Sequence, residues 1–213
     1  MGYTHYWRRP KIIPQHIFED IVADFGVLMP RFEEYGVPLA GGDGTGEPVI
    51  GPEEVVFNGK AACGHPENYG LVIPWPTADA GGVRAVENAI DGQWFAGTMV
   101  VTRICNGDCS YEGFYFPRVY RPESWETPDK HGRYFNFCKT AFRPYDLAVT
   151  AFLVIAKHYL GDEIIVTTDG NDAHWRDAQI LCQLELGYGG EYTISPTRGE
   201  LVVKKEGANE RTS

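Results

Sequence analysis

The sequence predicts a single α+β domain, with a mixed or antiparallel sheet packed against about three helices. Three observations predict it. Apolar residues recur at helical spacing near 14–29, 147–160 and 173–186. Short runs rich in β-branched and aromatic residues lie before, between and after those stretches. The chain carries no internal repeat and no low-complexity linker, and its 213 residues suffice for one full hydrophobic core. The domain is expected to span 1–203, with an irregular, loop-rich insertion at about 60–132. The charged tail 204–213 is expected to be disordered.

The opening nine residues alternate large and polar side chains and read as a strand. Tyr3, His5 and Trp7 share one of its faces, and Thr4, Tyr6 and Arg8 the other. Pro14 then opens a helix to about Met29, with Ile17, Phe18, Ile21, Val22, Phe25 and Leu28 forming its apolar stripe. Pro30 ends or kinks it. Residues 41–52 contain Gly-Gly-Asp-Gly-Thr-Gly-Glu-Pro, which lacks the Lys-Ser/Thr ending of a phosphate loop and reads as a connection. Val55–Gly59 is a strand closed by an Asn-Gly turn signal. Residues 60–92 look irregular. Trp94–Cys105 and Tyr111–Tyr120 read as a β-hairpin around Cys105-Asn-Gly-Asp-Cys109, and a polar loop covers Pro122–Gly132.

The rest of the chain is organised around 135–161, a strand, a polar turn and the most apolar helix of the sequence. Pro144 suits the first helical turn, Asp146 the positive end of the helix dipole, and Gly161 the C-terminal stop. From Leu147 to Leu160 apolar residues occupy almost every side, which predicts burial all round. Glu163–Asp169 is a short buried strand. Asp172 caps a helix from about Ala173 to Leu186, and short strands follow at Tyr192–Ile194 and Leu201–Val203.

Charge and composition exclude several functions. A net charge of -10 argues against general binding to nucleic-acid backbones. No apolar run reaches the length of a membrane span and no signal peptide opens the sequence, so a cytoplasmic protein is expected. Five dispersed cysteines fit reduced thiols. Cys63, His65, Cys105 and Cys109 could together supply four zinc ligands, but they lack paired Cys-x2-Cys knuckles. Free thiols are therefore the default, and neither a metal nor a cofactor is expected. The nucleophile elbow, the metalloprotease His-Glu-x2-His and the kinase and P-loop signatures are all missing.

The motif reading that gathers most residues is anion and nucleotide binding. Lys139, Thr140 and Arg143 surround the mouth of the apolar helix, where free backbone N–H groups and the dipole favour an anion. His5 and Arg8 on the first strand add cationic groups, Tyr6 or Trp7 a stacking face, and Asn136 and Asp169 partners for a base edge or ribose. A cytosolic binder of a small phosphorylated ligand, a nucleotide or cyclic nucleotide, is the leading expectation. Whether the ligand is turned over stays open. A phosphodiesterase or nucleotide hydrolase on the same pocket would use His5 as general acid or base, with Asp169 orienting it or holding a metal. A structural, partner-binding protein or homo-oligomer is the third reading, with exposed aromatics as its interface.

Gly2-Tyr-Thr-His-Tyr-Trp7, Phe57-Asn-Gly59, Phe137-Cys-Lys-Thr-Ala-Phe-Arg-Pro-Tyr-Asp146 and Thr168-Asp-Gly170 with Trp175 resemble an uncharacterised protein family of phages, bacteria and some fungi. The resemblance covers residues 1 to about 194 and brings no activity with it. That family's central motif reads Thr-Ala-Arg-Lys-Pro-Tyr-Asp, and here Phe142 replaces one of its two cations. Occurrence in phages implies a counter-defence role, such as a sponge that sequesters a host nucleotide signal.

Overall fold

Alternation along the first strand fixes the two sides of the fold. In the computed structural model, which describes residues 3–66, 69–74, 92–95, 98–105 and 107–204, β1 (Thr4–Pro10) buries His5, Trp7 and Arg9. Tyr6 and Arg8 point to the opposite, half-open side. α1 (Gln15–Glu34) follows Pro14 and buries Phe18, Ile21, Phe25, Leu28 and Phe32. The helix runs through Pro30 instead of ending there. Phe32 continues the buried stripe one turn further, and that packing outweighs the backbone bond a mid-helix proline forfeits. β2 (Leu39–Ala40) and β3 (Val49–Ile50) then flank β4 (Glu54–Gly59).

Asn58-Gly59 is not the turn its residue types suggest. Asn58 is buried at the end of β4 and ties three segments together. Its amide donates to the Gly42 and Tyr111 carbonyls at 3.2 and 3.0 Å, and its oxygen accepts from the Gly59 and Tyr111 N–H groups at 2.8 and 3.1 Å.

The expected hairpin is also rearranged. β5 (Tyr69–Pro74), β6 (Gly92–Phe95) and β7 (Thr98–Cys105) form their own antiparallel sheet in the order β5-β7-β6. β8 (Phe114–Pro117) leaves β7 and pairs with β4. Phe114 and Phe116 alternate into the main core beside Trp7, Phe57 and Phe152, so burial decides the partner of β8 over proximity in sequence.

β9 (Arg133–Lys139) leads to α2 (Asp146–Leu160). Pro144 stands just before the helix, whose N-cap is Tyr145. After a 3-10 turn (Gly161–Glu163) come β10 (Ile165–Thr168), α3 (Asp172–Leu186), β11 (Tyr192–Ile194) and β12 (Leu201–Val203). Asn171, not Asp172, caps α3, in a capping box with His174. Asp172 turns instead to β11, accepting from Thr193 Oγ1 and the Ile194 N–H at 2.8 and 3.0 Å.

β1 lies between β10 and β9, both antiparallel, with Trp7 opposite Asn136 and Tyr6 opposite Phe137. One face of this sheet meets α2, the all-round buried helix, which α1 and α3 also cover. The result is one α+β domain of antiparallel sheets and, among the described residues, three α-helices. None of the described helices is long and apolar enough to cross a membrane. Met1, Gly2, Trp75 and the tail beyond Lys204 lie outside the described residues.

Candidate functional site

The inner face of the β10-β1-β9 sheet carries a chain of buried charges. His5 Nε2 is 2.6 Å from Asp146 Oδ1, and Thr140 Oγ1 donates to the same oxygen. Arg103, reaching across from β7, donates from Nε to Asp146 Oδ2 at 2.9 Å and grips Asp177 of α3 with both terminal nitrogens. Its Nη2 also donates to the His174 carbonyl at 3.2 Å. Burial alone would raise the Asp146 pKa. Arg103, His5 and the hydrogen bonds from His5 and Thr140 outweigh it and hold this carboxyl well below the usual range. With Asp146 ionised, His5 Nε2 is the donor of this hydrogen bond. Tyr3 and Trp175 close the ring edge-on at 4.8 and 5.2 Å. His5, Asp146, Thr140, Arg103 and Asp177 are all 1 % exposed or less, which closes the network to solvent.

This placement changes the role of several candidates. His5 is a buried structural partner. Asp169 is exposed on the other side, where it accepts from the Tyr6 hydroxyl at 3.2 Å. The two do not meet, so they form no acid–base pair. Trp7 is sealed in the core against Phe114 and offers no open stacking face.

The mouth of α2 is also filled from within. Thr140 is buried on Asp146, and the Asp146, Leu147 and Ala148 N–H groups donate to the carbonyls of Arg143, Pro144 and Tyr145. The segment 140–143 is a tight turn closed by Arg143 N–H on the Thr140 carbonyl at 3.0 Å. Its central residues, Ala141 and Phe142, both have positive φ, 50° and 56°. Non-glycine residues hold that conformation only when their surroundings impose it. Here Phe142 stacks on Tyr3 at 3.7 Å, and its carbonyl accepts from the Ile104 N–H of β7. Lys139 points its ammonium over the Tyr111 ring at 5.3 Å, and Arg143 lies near Asp108.

The outer side holds an open hollow of about 560 Å³. Aromatic groups make most of its wall: Tyr115 from β8, Tyr120 and Trp125 from the following loop, and Tyr134, Phe135 and Phe137 from β9. Alternation does not place all of these on one strand face; among the described residues β9 is an edge strand of its sheet, and four successive residues of it, 134–137, line the hollow. Arg8 lines it with its guanidinium over Phe135 at 5.3 Å, and Tyr6 stacks on the same ring at 6.0 Å. Asn136 contributes a buried Nδ2 that makes no hydrogen bond of normal geometry within the protein. Glu126 is held by the Tyr120 hydroxyl at 2.6 Å, an arrangement that with burial pushes the Tyr120 pKa up to about 12. Trp125 stands at the rim, 77 % exposed. The hollow offers aromatic faces for a flat ring and one cationic group, Arg8, with the carboxylate of Glu126 also in its wall.

A second cluster brings the loop after β4 against the end of β7 and the loop that leads to β8. The ligand atoms of Cys63, His65, Cys105 and Cys109 all lie within 4.8 Å of one another.

Of the residues singled out from sequence, Arg8 and Asn136 line the hollow and Tyr6 adjoins it through Phe135. Lys139, Thr140, Arg143, Asp169, His5 and Trp7 do not line it. Sequence reasoning missed Tyr115, Tyr120, Trp125 and Tyr134. The only signal for them was the density of aromatics between 111 and 137. No family model, curated protein or solved structure matches the chain.

Proposed function

We propose that this protein is a cytoplasmic small-ligand-binding protein whose hollow beside β9 takes a compound with a planar ring and a negatively charged group, a nucleotide or cyclic nucleotide meeting both requirements. The observation that carries the reading is the aromatic wall with Arg8 and the Asn136 amide together in one hollow. Its volume is that of a small-molecule site, about 300–1,000 Å³. Ring stacking supplies affinity without base selectivity, about 1–3 kcal/mol per stacked base. Arg8 forms no ion pair among the described residues and so keeps its charge for a ligand. Five cysteines, none of them in a disulfide, support the cytoplasmic setting.

Retention without chemistry, as in the sequestration of a nucleotide signal, is the mode this geometry favours. The hydrolytic alternative relied on His5 and Asp169, which face away from each other. A second reading has one observation behind it: Phe137, 56 % exposed, Phe135 and Trp125 make an aromatic surface that a partner protein could cover.

The test is a melting-temperature screen of the purified chain against linear and cyclic nucleotides, followed by mass spectrometry of each mixture. A ligand at a hundred times its Kd adds about 2.7 kcal/mol of stability. A shift with the nucleotide recovered unchanged supports the proposal. A shift with conversion makes the protein an enzyme, and no shift with any nucleotide turns the aromatic surface over to a partner.

A further inference from the structure

We propose that Cys63, His65, Cys105 and Cys109 form a zinc site that ties the loop after β4 to the end of β7 and the loop that leads to β8. Three thiols and an imidazole are the donor set of a closed structural zinc centre. With Zn–S near 2.3 Å and Zn–N near 2.0–2.1 Å, a tetrahedral site has ligand-to-ligand edges of roughly 3.5–3.8 Å. The four ligand atoms are already gathered to about that size, two edges being a few tenths of an ångström shorter: Cys63 Sγ is 3.2 Å from Cys105 Sγ, Cys109 Sγ is 3.3 Å from His65 Nδ1, and every pair is within 4.8 Å.

The backbone brings the four together from distant stretches. Cys63 and His65 follow β4, Cys105 ends β7, and Cys109 lies in the loop to β8. The Cys109 N–H donates to the Lys60 carbonyl at 3.1 Å, locking the two loops side by side. Gly59 permits this approach, since a β-carbon there would collide with the Cys109 carbonyl oxygen. Gly107, at φ 80°, turns the chain between Cys105 and Cys109. Asp108 sets the exit of that turn by accepting from the Ser110 N–H at 2.8 Å. Cys105 and Cys109 are fully buried, and Cys63 and His65 partly so. Three thiols converging on one imidazole have no apolar packing purpose that alanine or valine would not serve better.

The site also has a mechanical role within the fold. Arg103 enters the His5–Asp146–Asp177 network two residues before Cys105. A metal at the end of β7 holds that strand where its guanidinium can reach both carboxylates.

Metal analysis of the full chain, purified under reducing conditions and then given zinc with the excess removed, tests the proposal. One zinc per chain is expected, and Cys109→Ser should lose it. The reduced chain loaded with cobalt should show the intense visible bands of a tetrahedral thiolate site. If Cys109→Ser does not fold, His65→Cys gives the second measurement: the metal is retained and the cobalt spectrum shifts towards the all-thiolate form. A reduced, folded chain that takes up no zinc overturns the proposal, as does a metal-free protein in which Cys63 and Cys105 are joined as a disulfide. Unchanged metal content in folded Cys109→Ser also overturns it.

Discussion

His5 and Asp146 are 141 residues apart in sequence and 2.6 Å apart in the structure, both wholly buried. That contact joins β1 to the first residue of α2. Through Arg103 and Asp177 it continues to β7 and α3, so one polar chain crosses four elements. Its members satisfy one another where water cannot, and removing one strands the others.

Asp146→Asn should therefore destabilise the protein by about 3–5 kcal/mol, the cost of breaking a buried, hydrogen-bonded ion pair from one side. The shape is conserved, but Arg103 loses one of its two counter-charges. Urea unfolding measures the effect. A loss under about 1 kcal/mol would mean that the network contributes little beyond packing.

The same carboxyl predicts an acid limb. Its folded pKa is lowered, against the opposing effect of burial, by Arg103, His5 and the hydrogen bonds to it, from an unfolded value of about 3.9. A carboxyl lowered by folding contributes stability that is complete above the unfolded pKa and is lost as pH falls towards the folded one. Unfolding free energy should thus fall steeply as pH drops below about 4. Asp146→Asn should flatten that limb; superimposable acid limbs for the two proteins would contradict the assignment.

Asn58→Ala should cost about 2–4 kcal/mol, because four hydrogen bonds at roughly 1 kcal/mol each vanish and the backbone groups of Gly42, Gly59 and Tyr111, buried at Gly59 and partly buried at the other two, lose their partner. Thermal unfolding checks it, and a neutral substitution would show that water replaces the amide.

Ala141→Gly tests the strained turn from the opposite direction. A left-handed residue with a β-carbon costs about 1–2 kcal/mol, and glycine gives back about 0.5–1 of that in chain entropy. The substitution should be neutral or stabilising by up to about 1 kcal/mol. A clear loss of stability would show that the alanine methyl contributes packing that outweighs the strain.

Much of the fold was legible because its signals are local. The stripe of Phe18, Ile21, Phe25 and Leu28 and the all-round apolar run 147–160 announce their helices whatever surrounds them. The partner of β8 was not legible, since Phe114 and Phe116 would alternate equally well in a hairpin with β7. Only the position of Phe152 and Trp7 in space selects β4. The site suffered in the same way. Lys139, Thr140 and Arg143 by a helix start are the right residue types for an anion, but Asp146 and the turn carbonyls already occupy that position. The hollow draws Tyr115, Trp125 and Asn136 from separate stretches, and no spacing rule in the sequence links them. Arg103 lay in a predicted strand with nothing to mark it as the counter-ion of Asp146.

Removing Trp125 should weaken ligand binding by about 1–3 kcal/mol, the range for a stacked base. Because that ring is 77 % exposed, Trp125→Ala should leave the melting temperature of the free protein almost unchanged. Calorimetric titration alongside a thermal scan separates the two effects. Equal affinity in wild type and variant would remove Trp125 from the site.

The central claim is that ligand enters the hollow beside β9 and not the mouth of α2. Calorimetric titration of nucleotides into three proteins tests it most directly: wild type, Arg8→Ala/Asn136→Ala, and Lys139→Ala/Arg143→Ala. The wild type and the Lys139/Arg143 double variant should bind alike, while the Arg8/Asn136 double variant, still folded, should lose binding. The reverse pattern, or a wild type that binds no nucleotide, would contradict the account.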